Sequence, residues 1–371
     1  TLSSFDTKPL IDFSSNDYLG LTKNKKLTTL TKKNFNKHFP EPLNGSGASR
    51  LLSGNFSFFE TSENLIAQYH NSEAALLFNS GYVANLGLFS CIATRHDIIL
   101  YDELSHASIR DGIRLNNAKS FSFKHNNLEH LKQKIDSLIH KSVQRIFVVV
   151  ESLYSMDGDC PDLGELLEIC EISGKNHPCY LIVDEAHAAG IYGLSGRGLA
   201  NLYAEHPNLF ARIITYGKAF GLHGAAICCS NSLRDYLINF SRPFIYTTAA
   251  SPESICAIYT AYEMMPDLDR EREKLFENIH LFVENLCTGS KTDETETKLM
   301  SKFSQIQTIQ IPGNENVKSI CTVIQKSGYD VRPIVSPTVP VTKERIRICI
   351  HSFNTQKDIL QVAALLKPHA K

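Results

Sequence analysis

The feature that most constrains this chain is a repeated order of a short apolar run, a polar cluster and a helix-like segment. Such runs occur at 74–78, 97–101, 145–150, 180–183 and 211–215. Runs of β-branched and aliphatic residues with helices between them predict a mostly parallel sheet covered on both faces. The carboxyl ends of parallel strands share one edge of the sheet, where ligands bind. We therefore predict that the polar clusters following these runs meet at that edge.

The length of the chain and a change of pattern near residue 262 predict two domains. The 371 residues, 43% of them hydrophobic, suffice for one large domain and a smaller one. Beyond residue 262 an amphipathic helix at 271–286 and alternating strands at 307–311 and 345–350 predict an α+β domain. The predicted segments are an N-terminal segment at 1–27 that packs with the small domain, a large domain at 28–262 and a small C-terminal domain at 263–371.

Charge, hydropathy and cysteine spacing exclude several classes of function. The formal net charge of −1 gives no electrostatic basis for binding nucleic acid or an anionic membrane. No apolar run approaches the roughly 20 residues of a spanning helix. The ten cysteines form no C-x-x-C pair and the histidines no H-x-x-x-H pair, so we predict no metal site. Free thiols in apolar runs indicate a reducing, cytoplasmic compartment.

The strand-end segment VDEAH at 183–187 allows three interpretations. It is an ordinary polar strand end, a helicase box that binds magnesium, or part of a pyridoxal 5′-phosphate (PLP) site. The helicase interpretation needs a G-x-x-x-x-G-K-[ST] loop, which this sequence lacks. A PLP site needs an acid that keeps the pyridine nitrogen protonated and a lysine that binds the cofactor covalently. Asp184, followed by Lys218 after the next apolar run, meets both requirements.

Several of these residues also have simple structural explanations when they are taken singly. His106 is placed to cap a helix that begins near Ala107, and Ser155 to form a turn. Gly81 is placed to form a tight turn. The order of Asp184 and Lys218 along one sheet edge favours the cofactor site over these alternatives.

Seven motifs, in this order along the chain, resemble those of the α-oxoamine synthases, which are fold-type I PLP enzymes. They are FSSNDYLG at 13–20, GSGASRLLSG at 45–54, NSGYVAN at 79–85, SHAS at 105–108, YSMDGD at 154–159, VDEAH at 183–187 and TYGKAFG at 215–221. The resemblance extends from about Asp12 to about Phe353. It implies an α/β fold with a large domain built on a mostly parallel sheet and a smaller α+β C-terminal domain.

The resemblance also implies a catalytic role for three of the residues. Lys218 resembles the lysine that forms the Schiff base with PLP, and Asp184 resembles the partner of the pyridine nitrogen. His106 resembles the imidazole that stacks on the cofactor ring. The chain is therefore expected to be a PLP enzyme with these three side chains around the ring.

Further cofactor contacts follow from the same resemblance. His187 and Ser155 resemble hydrogen-bond partners of the ring hydroxyl region. Gly81 and Tyr82 resemble a phosphate cradle at a helix start, where free N–H groups and the helix dipole favour an anion. Thr215 resembles another phosphate contact.

Residues beyond this set imply a partner and a substrate. Thr248 resembles a residue that reaches the phosphate of the neighbouring subunit, which implies a homodimer with a shared active site. Asn16, His106 and Thr338 are the implied substrate contacts. Many members carry an arginine where Val335 stands, so the group that binds a substrate carboxylate is left open.

The segment VSPTVP at 335–340 favours one activity within the family. It resembles the segment of members that condense L-alanine with a pimeloyl thioester, on coenzyme A or acyl-carrier protein, to give 8-amino-7-oxononanoate, carbon dioxide and the free thiol. That product is a precursor of biotin. The alternatives are a glycine C-acetyltransferase, another α-oxoamine synthase, and a PLP-fold protein that only binds a partner.

Overall fold

The computed structural model describes residues 10–41, 43–138, 143–175, 177–287 and 303–370. The strands in these residues are β1 (Ile11–Asp12), β2 (Ala74–Phe78), β3 (Ile98–Asp102), β4 (Lys119–Phe123), β5 (Ile146–Glu151), β6 (Cys179–Asp184), β7 (Leu209–Thr215), β8 (Ala225–Cys229), β9 (Ile306–Gln310), β10 (Tyr329–Asp330), β11 (Arg332–Ile334) and β12 (Arg345–Cys349). The helices are α1 (Lys25–His38), α2 (Ser57–Tyr69), α3 (Gly81–Phe89), α4 (Ala107–Arg114), α5 (Leu128–Leu138), α6 (Leu163–Gly174), α7 (Asn231–Phe240), α8 (Arg242–Ile245), α9 (Pro252–Met264), α10 (Asp269–Cys287), α11 (Asn314–Lys326) and α12 (Gln356–Leu366).

The described residues form two compact units. The larger unit comprises 21–154 and 160–268, and the smaller unit comprises the described parts of 1–20, 155–159 and 269–371. The smaller unit therefore includes 155–159, a short segment that lies far along the chain from the rest of that unit.

A seven-stranded sheet forms the centre of the larger unit. Its strand order is β2-β8-β7-β6-β5-β3-β4, and every strand except β8 runs in the same direction. The apolar runs predicted from the sequence are five of these strands, with ends that differ by one or two residues. The predicted α/β fold with a mostly parallel sheet is confirmed.

The strands are apolar on both faces because both faces of the sheet are covered. One apolar layer contains Phe147 and Ile182, and the other contains Val148 and Leu181. Successive residues of a strand point to opposite faces, so a strand buried on both sides reads as a continuous apolar run. This arrangement leaves the strand ends as the positions where polar side chains are placed.

Strand β8 runs against its neighbours because of the short connection that precedes it. Only residues 216–224 separate β7 from β8. A parallel return needs a crossover of a dozen or more residues, usually a helix, whereas an antiparallel return needs only a turn. The segment that contains Lys218 is therefore a tight connection at the carboxyl end of β7.

The smaller unit contains two small sheets. Strands β11, β12 and β9 form an antiparallel sheet, and β1 pairs with β10 in parallel. The predicted strands at 307–311 and 345–350 correspond to β9 and β12, and the predicted helix at 271–286 corresponds to α10. Within the described residues, no helix combines the length and apolar character needed to cross a membrane.

Candidate active site

A buried carboxylate lies at the carboxyl edge of the seven-stranded sheet. Asp184 is the last residue of β6 and is 5% exposed. Its Oδ1 accepts a hydrogen bond from the Ala186 N–H at 2.9 Å, and its Oδ2 accepts one from Asn85 Nδ2 at 2.7 Å. Both oxygens of the Asp184 carboxylate therefore act as hydrogen-bond acceptors for neighbouring N–H groups.

Asn85 links Asp184 to His106 through one further side chain. Asn85 lies on α3, and its Nδ2 also donates to Ser108 Oγ at 3.0 Å. Ser108 Oγ lies 2.7 Å from His106 Nδ1. The structure thus brings together Asp184 and His106, which the sequence analysis predicted as site residues. The two linking residues, Asn85 and Ser108, were not selected by the sequence analysis. The only signal for Asn85 was its place at the end of the NSGYVAN motif.

His106 is also the N-cap of α4. Its Nδ1 accepts a hydrogen bond from the Ser108 backbone N–H at 3.2 Å. The capping explanation considered for this residue is therefore confirmed, and it is compatible with a position beside the carboxylate. Desolvation lowers the pKa of His106 because it disfavours the charged ring, although Asp184 acts in the opposite direction.

Glu151 is a second carboxyl group at this edge that the sequence reasoning did not select. It ends β5, is 4% exposed and stands next to Asp184 in the register of the sheet. Its Oε1 accepts a hydrogen bond from the His106 backbone N–H at 2.6 Å. Burial raises the pKa of Glu151 to about 8, and the Asp184 charge adds to this effect, whereas Lys218 opposes it. Its position directly after an apolar run was the available signal.

The raised pKa of Glu151 predicts a pH-dependent stability. The folded state keeps the Glu151 proton up to about pH 8, whereas the unfolded chain releases it near 4.5. The folded state therefore binds more protons across this window, and its stability falls as the pH rises. Relative to Glu151→Gln, we expect the cofactor-free wild type to lose up to about 1.4 kcal/mol per pH unit between pH 5 and 8.

Thermal and urea unfolding of both proteins at several pH values measure this difference. Glu165→Gln is the control, because Glu165 is an exposed partner of Lys132 at the surface. If the difference in the free energy of unfolding between the wild type and Glu151→Gln does not change with pH, the raised pKa of Glu151 is contradicted.

The predicted phosphate and lysine positions also lie at this edge. Thr215 ends β7 and is buried, and Lys218 follows in the tight connection and is half-buried. Gly81 is the first residue of α3, and a Cβ atom there would lie 2.8 Å from Thr215 Oγ1. The glycine therefore leaves open the space between the helix start and Thr215. His187 is buried three residues beyond Asp184.

Tyr82, His106 and Thr248 are the exposed members of the predicted cofactor set. The Tyr82 hydroxyl donates to Asp111 Oδ2 on α4, so its side chain is engaged by the neighbouring helix. Thr248 precedes α9, and its carbonyl oxygen accepts a hydrogen bond from Asn79 Nδ2 at 2.9 Å. This bond connects the Thr248 segment to the turn just before Gly81.

The remaining predicted site residues belong to the smaller unit. Arg347 joins two of them: its Nη2 donates to Asn16 Oδ1 at 2.9 Å, and its Nε donates to the Ser155 carbonyl oxygen at 2.7 Å. Tyr18 donates its hydroxyl to the same Asn16 oxygen at 3.0 Å. Thr338 is exposed, and its N–H donates to the Val335 carbonyl oxygen at 2.9 Å. The sequence analysis did not select Arg347.

Several known proteins resemble this chain over nearly its whole length. The family model for aminotransferase class I and II matches residues 8–365. The chain is 36% identical to the 8-amino-7-oxononanoate synthase of Emericella nidulans, over 94% of this chain and 86% of that protein. It also resembles the crystal structure of 8-amino-7-oxononanoate synthase from Francisella tularensis, with a TM-score of 0.80, 30% identity and 97% of each chain covered. Serine palmitoyltransferase from Sphingomonas wittichii shares the fold, with a TM-score of 0.86 and 23% identity over 97% of this chain and 87% of that one.

Proposed function

Because this chain belongs to the aminotransferase class I and II family, we propose that it is a PLP-dependent acyltransferase that condenses L-alanine with a pimeloyl thioester. A carbon–carbon bond forms between the alanine α-carbon and the thioester carbonyl carbon. The thiol leaves, the alanine carboxyl group departs as carbon dioxide, and the product is 8-amino-7-oxononanoate. The full-length similarity to proteins named for that product supports this activity.

The observation that carries the proposal is the buried Asp184 carboxylate at the edge that also presents Lys218. PLP supplies an electron sink for the carbanion at the α-carbon, provided that its ring nitrogen stays protonated. Asn85 and Ala186 each donate one hydrogen bond to Asp184, which leaves further lone pairs of the carboxylate available for that ring N–H. The donor and acceptor types at this position therefore fit the cofactor.

The start of α3 fits the phosphate group. The first N–H groups of a helix have no partner within the helix, and they favour an anion together with the helix dipole. Ser80 Oγ accepts from the Val83 N–H at 3.2 Å, which leaves the N–H groups of Gly81 and Tyr82 for the phosphate. Side-chain volume at Gly81 would fill the space next to Thr215. We assign the phosphate to these backbone groups and to the Thr215 hydroxyl.

Lys218 has two tasks in this proposal. Its amine would hold the cofactor covalently, and the same amine would take the α-proton of alanine and return a proton to the product. Its positive charge offsets part of the rise that burial causes in the pKa of Glu151, and it adds to the lowering that desolvation causes in the pKa of His106. His187 and Ser155 are proposed to bind the ring hydroxyl region.

The substrate and the subunit arrangement are further parts of the proposal. We assign substrate contacts to Asn16, His106 and Thr338, and we propose a homodimer in which Thr248 reaches the phosphate of the neighbouring subunit. The exposed position of Thr248 supports this last role. The ten free cysteines fit a reducing compartment, and we propose the cytoplasm.

A panel of amino acids and acyl thioesters tests the reaction. With the PLP-loaded enzyme, L-alanine and pimeloyl-CoA or pimeloyl acyl-carrier protein are expected to give 8-amino-7-oxononanoate and one carbon dioxide per product. We expect kcat/KM for L-alanine with the pimeloyl thioester to be roughly 10²-fold higher than for glycine with acetyl-CoA. The reason is that the site would contact the alanine methyl group and the longer acyl chain, which glycine and acetyl-CoA lack. Mass spectrometry identifies the product, and comparison of the two carriers identifies the donor.

Two outcomes would contradict the proposal in different ways. Equal or faster turnover of glycine with acetyl-CoA would favour a glycine C-acetyltransferase. A colourless protein without a PLP–lysine adduct and without turnover of any pair would favour a binding protein that has the fold alone.

A further inference from the structure

The side chains between Asp184 and His106 form a hydrogen-bond chain whose direction can be worked out from donor chemistry. The chain runs from Asp184 Oδ2 to Asn85 Nδ2 at 2.7 Å, then to Ser108 Oγ at 3.0 Å, and then to His106 Nδ1 at 2.7 Å. Asn85 and Ser108 are 2% and 1% exposed, so water has little access to these two links.

The first link fixes the orientation of the Asn85 amide. An ionised carboxylate only accepts hydrogen bonds, so the group that faces Asp184 Oδ2 is the NH₂ of Asn85 and not its carbonyl oxygen. The second N–H of the same NH₂ group points at Ser108 Oγ. Among the described residues, Asn85 Oδ1 is buried without a hydrogen-bond partner, which shows that both donors of this amide are used while its acceptor is not.

The second link fixes the direction of the Ser108 hydroxyl. Because Ser108 Oγ accepts from Asn85, its own proton is available to be donated to His106 Nδ1. The backbone N–H of Ser108 donates to the same nitrogen at 3.2 Å. His106 Nδ1 therefore accepts from two donors and carries no proton, and the neutral ring bears its proton on Nε2.

We infer that Asn85 and Ser108 are positioning residues that impose, from the carboxylate of Asp184, a single orientation and a single Nε2–H tautomer on the ring of His106. The consequence for catalysis rests on the proposed function, in which His106 lies beside the cofactor and the substrate. There the ring presents a hydrogen-bond donor at Nε2. Asp184 thus has two roles in the proposed site. It is the partner of the cofactor ring nitrogen, and it orients the ring of His106 through Asn85 and Ser108.

NMR of the cofactor-free protein labelled with ¹⁵N-histidine tests this inference. Long-range ¹H–¹⁵N correlations identify which ring nitrogen carries the proton, and the His106 signals are those lost in His106→Gln. At a pH where the ring is neutral, the wild type is expected to show the Nε2–H tautomer. Ser108→Ala removes the hydroxyl donor, and we expect the ratio of Nδ1–H to Nε2–H to rise about fivefold, the effect of one net hydrogen bond.

Asn85→Asp reverses the direction of the chain without removing a side chain. Two adjacent carboxyl groups share a proton, so the new acid donates to Asp184 and turns an acceptor towards Ser108. The Ser108 hydroxyl then points away from His106, and the tautomer ratio is expected to shift as it does in Ser108→Ala. Ser105→Ala is the matched control, because Ser105 is also 1% exposed and its Oγ has no hydrogen-bond partner within the described chain.

The inference is overturned if His106 carries its proton on Nδ1 in the wild type, or if both variants keep the ratio of the Ser105→Ala control. A wild-type Nε2–H tautomer with a shift in either variant supports it. The measurement needs neither PLP nor substrate, so its result is separate from that of the proposed function. A protein with this tautomer but without turnover of any thioester would contradict the proposed reaction alone.

Discussion

Lys218→Ala is expected to abolish both the covalent attachment of PLP and the acyltransferase activity. The variant lacks the amine that forms the link to the cofactor and moves the α-proton. Proton transfer by a positioned side chain alone contributes about 10²–10⁴-fold, and the covalent role adds to this, so we expect kcat to fall by at least about 10³-fold. Borohydride reduction and peptide mass spectrometry measure the adduct, and product formation measures kcat.

Lys218→Arg separates the chemistry of this lysine from its charge. Arginine keeps a positive charge next to Glu151 and His106 but stays protonated and provides no amine nucleophile. We expect Lys218→Arg to be as inactive as Lys218→Ala. Lys132→Ala, at an exposed lysine paired with Glu165, is expected to keep full activity. A reduced PLP adduct at another lysine in the wild type would show that Lys218 is the wrong residue.

The sheet edge was predictable because its signal is local in the sequence. The strands of Lys218, Asp184 and Glu151 appear as apolar runs, each followed by polar residues. Since parallel strands end at one edge, the order of these runs was enough to bring the polar residues together. Strand β4 was not predicted because it lies at the edge of the sheet and is largely exposed, with the sequence KSFSF. An edge strand of this kind lacks the apolar run that marks a central one.

The partners of the site residues were much less predictable. Asn85 and Asp184 are 99 positions apart in the chain, and their contact depends on how α3 packs beside the end of β6. The hydroxyl of Tyr82 bonds to Asp111 because α3 and α4 lie side by side. Periodicity and motifs identify which elements form, but they carry no information about such contacts between side chains of distant elements.

Asp184→Asn is the substitution with the second largest expected effect. The amide has nearly the shape of the carboxylate, and its single oxygen keeps one of the two hydrogen bonds that Asp184 accepts from Asn85 and the Ala186 N–H. We therefore expect the fold to persist with a modest loss of stability. It has no charge with which to hold a proton on the pyridine nitrogen. An opposite charge within about 4–6 Å shifts a pKa by about 1–3 units, and we therefore expect kcat to fall by about 10–10³-fold while much of the cofactor stays bound.

Asp97→Asn is the matched control for this prediction. Asp97 is a buried carboxylate that precedes β3 at the opposite end of the strands, where its Oδ2 accepts from Arg145 Nη2 at 2.8 Å. Removal of its charge is expected to lower the melting temperature, since it weakens an ion pair between the buried Asp97 and the half-buried Arg145. It is expected to leave kcat unchanged at temperatures where the protein is folded. Asp184→Asn should differ from this control in its large loss of kcat at temperatures where both variants are folded. If kcat of Asp184→Asn stays within about threefold of the wild type, Asp184 is not the partner of the cofactor ring. A shift of one unit in the pKa of the ring nitrogen already corresponds to about a tenfold change in kcat.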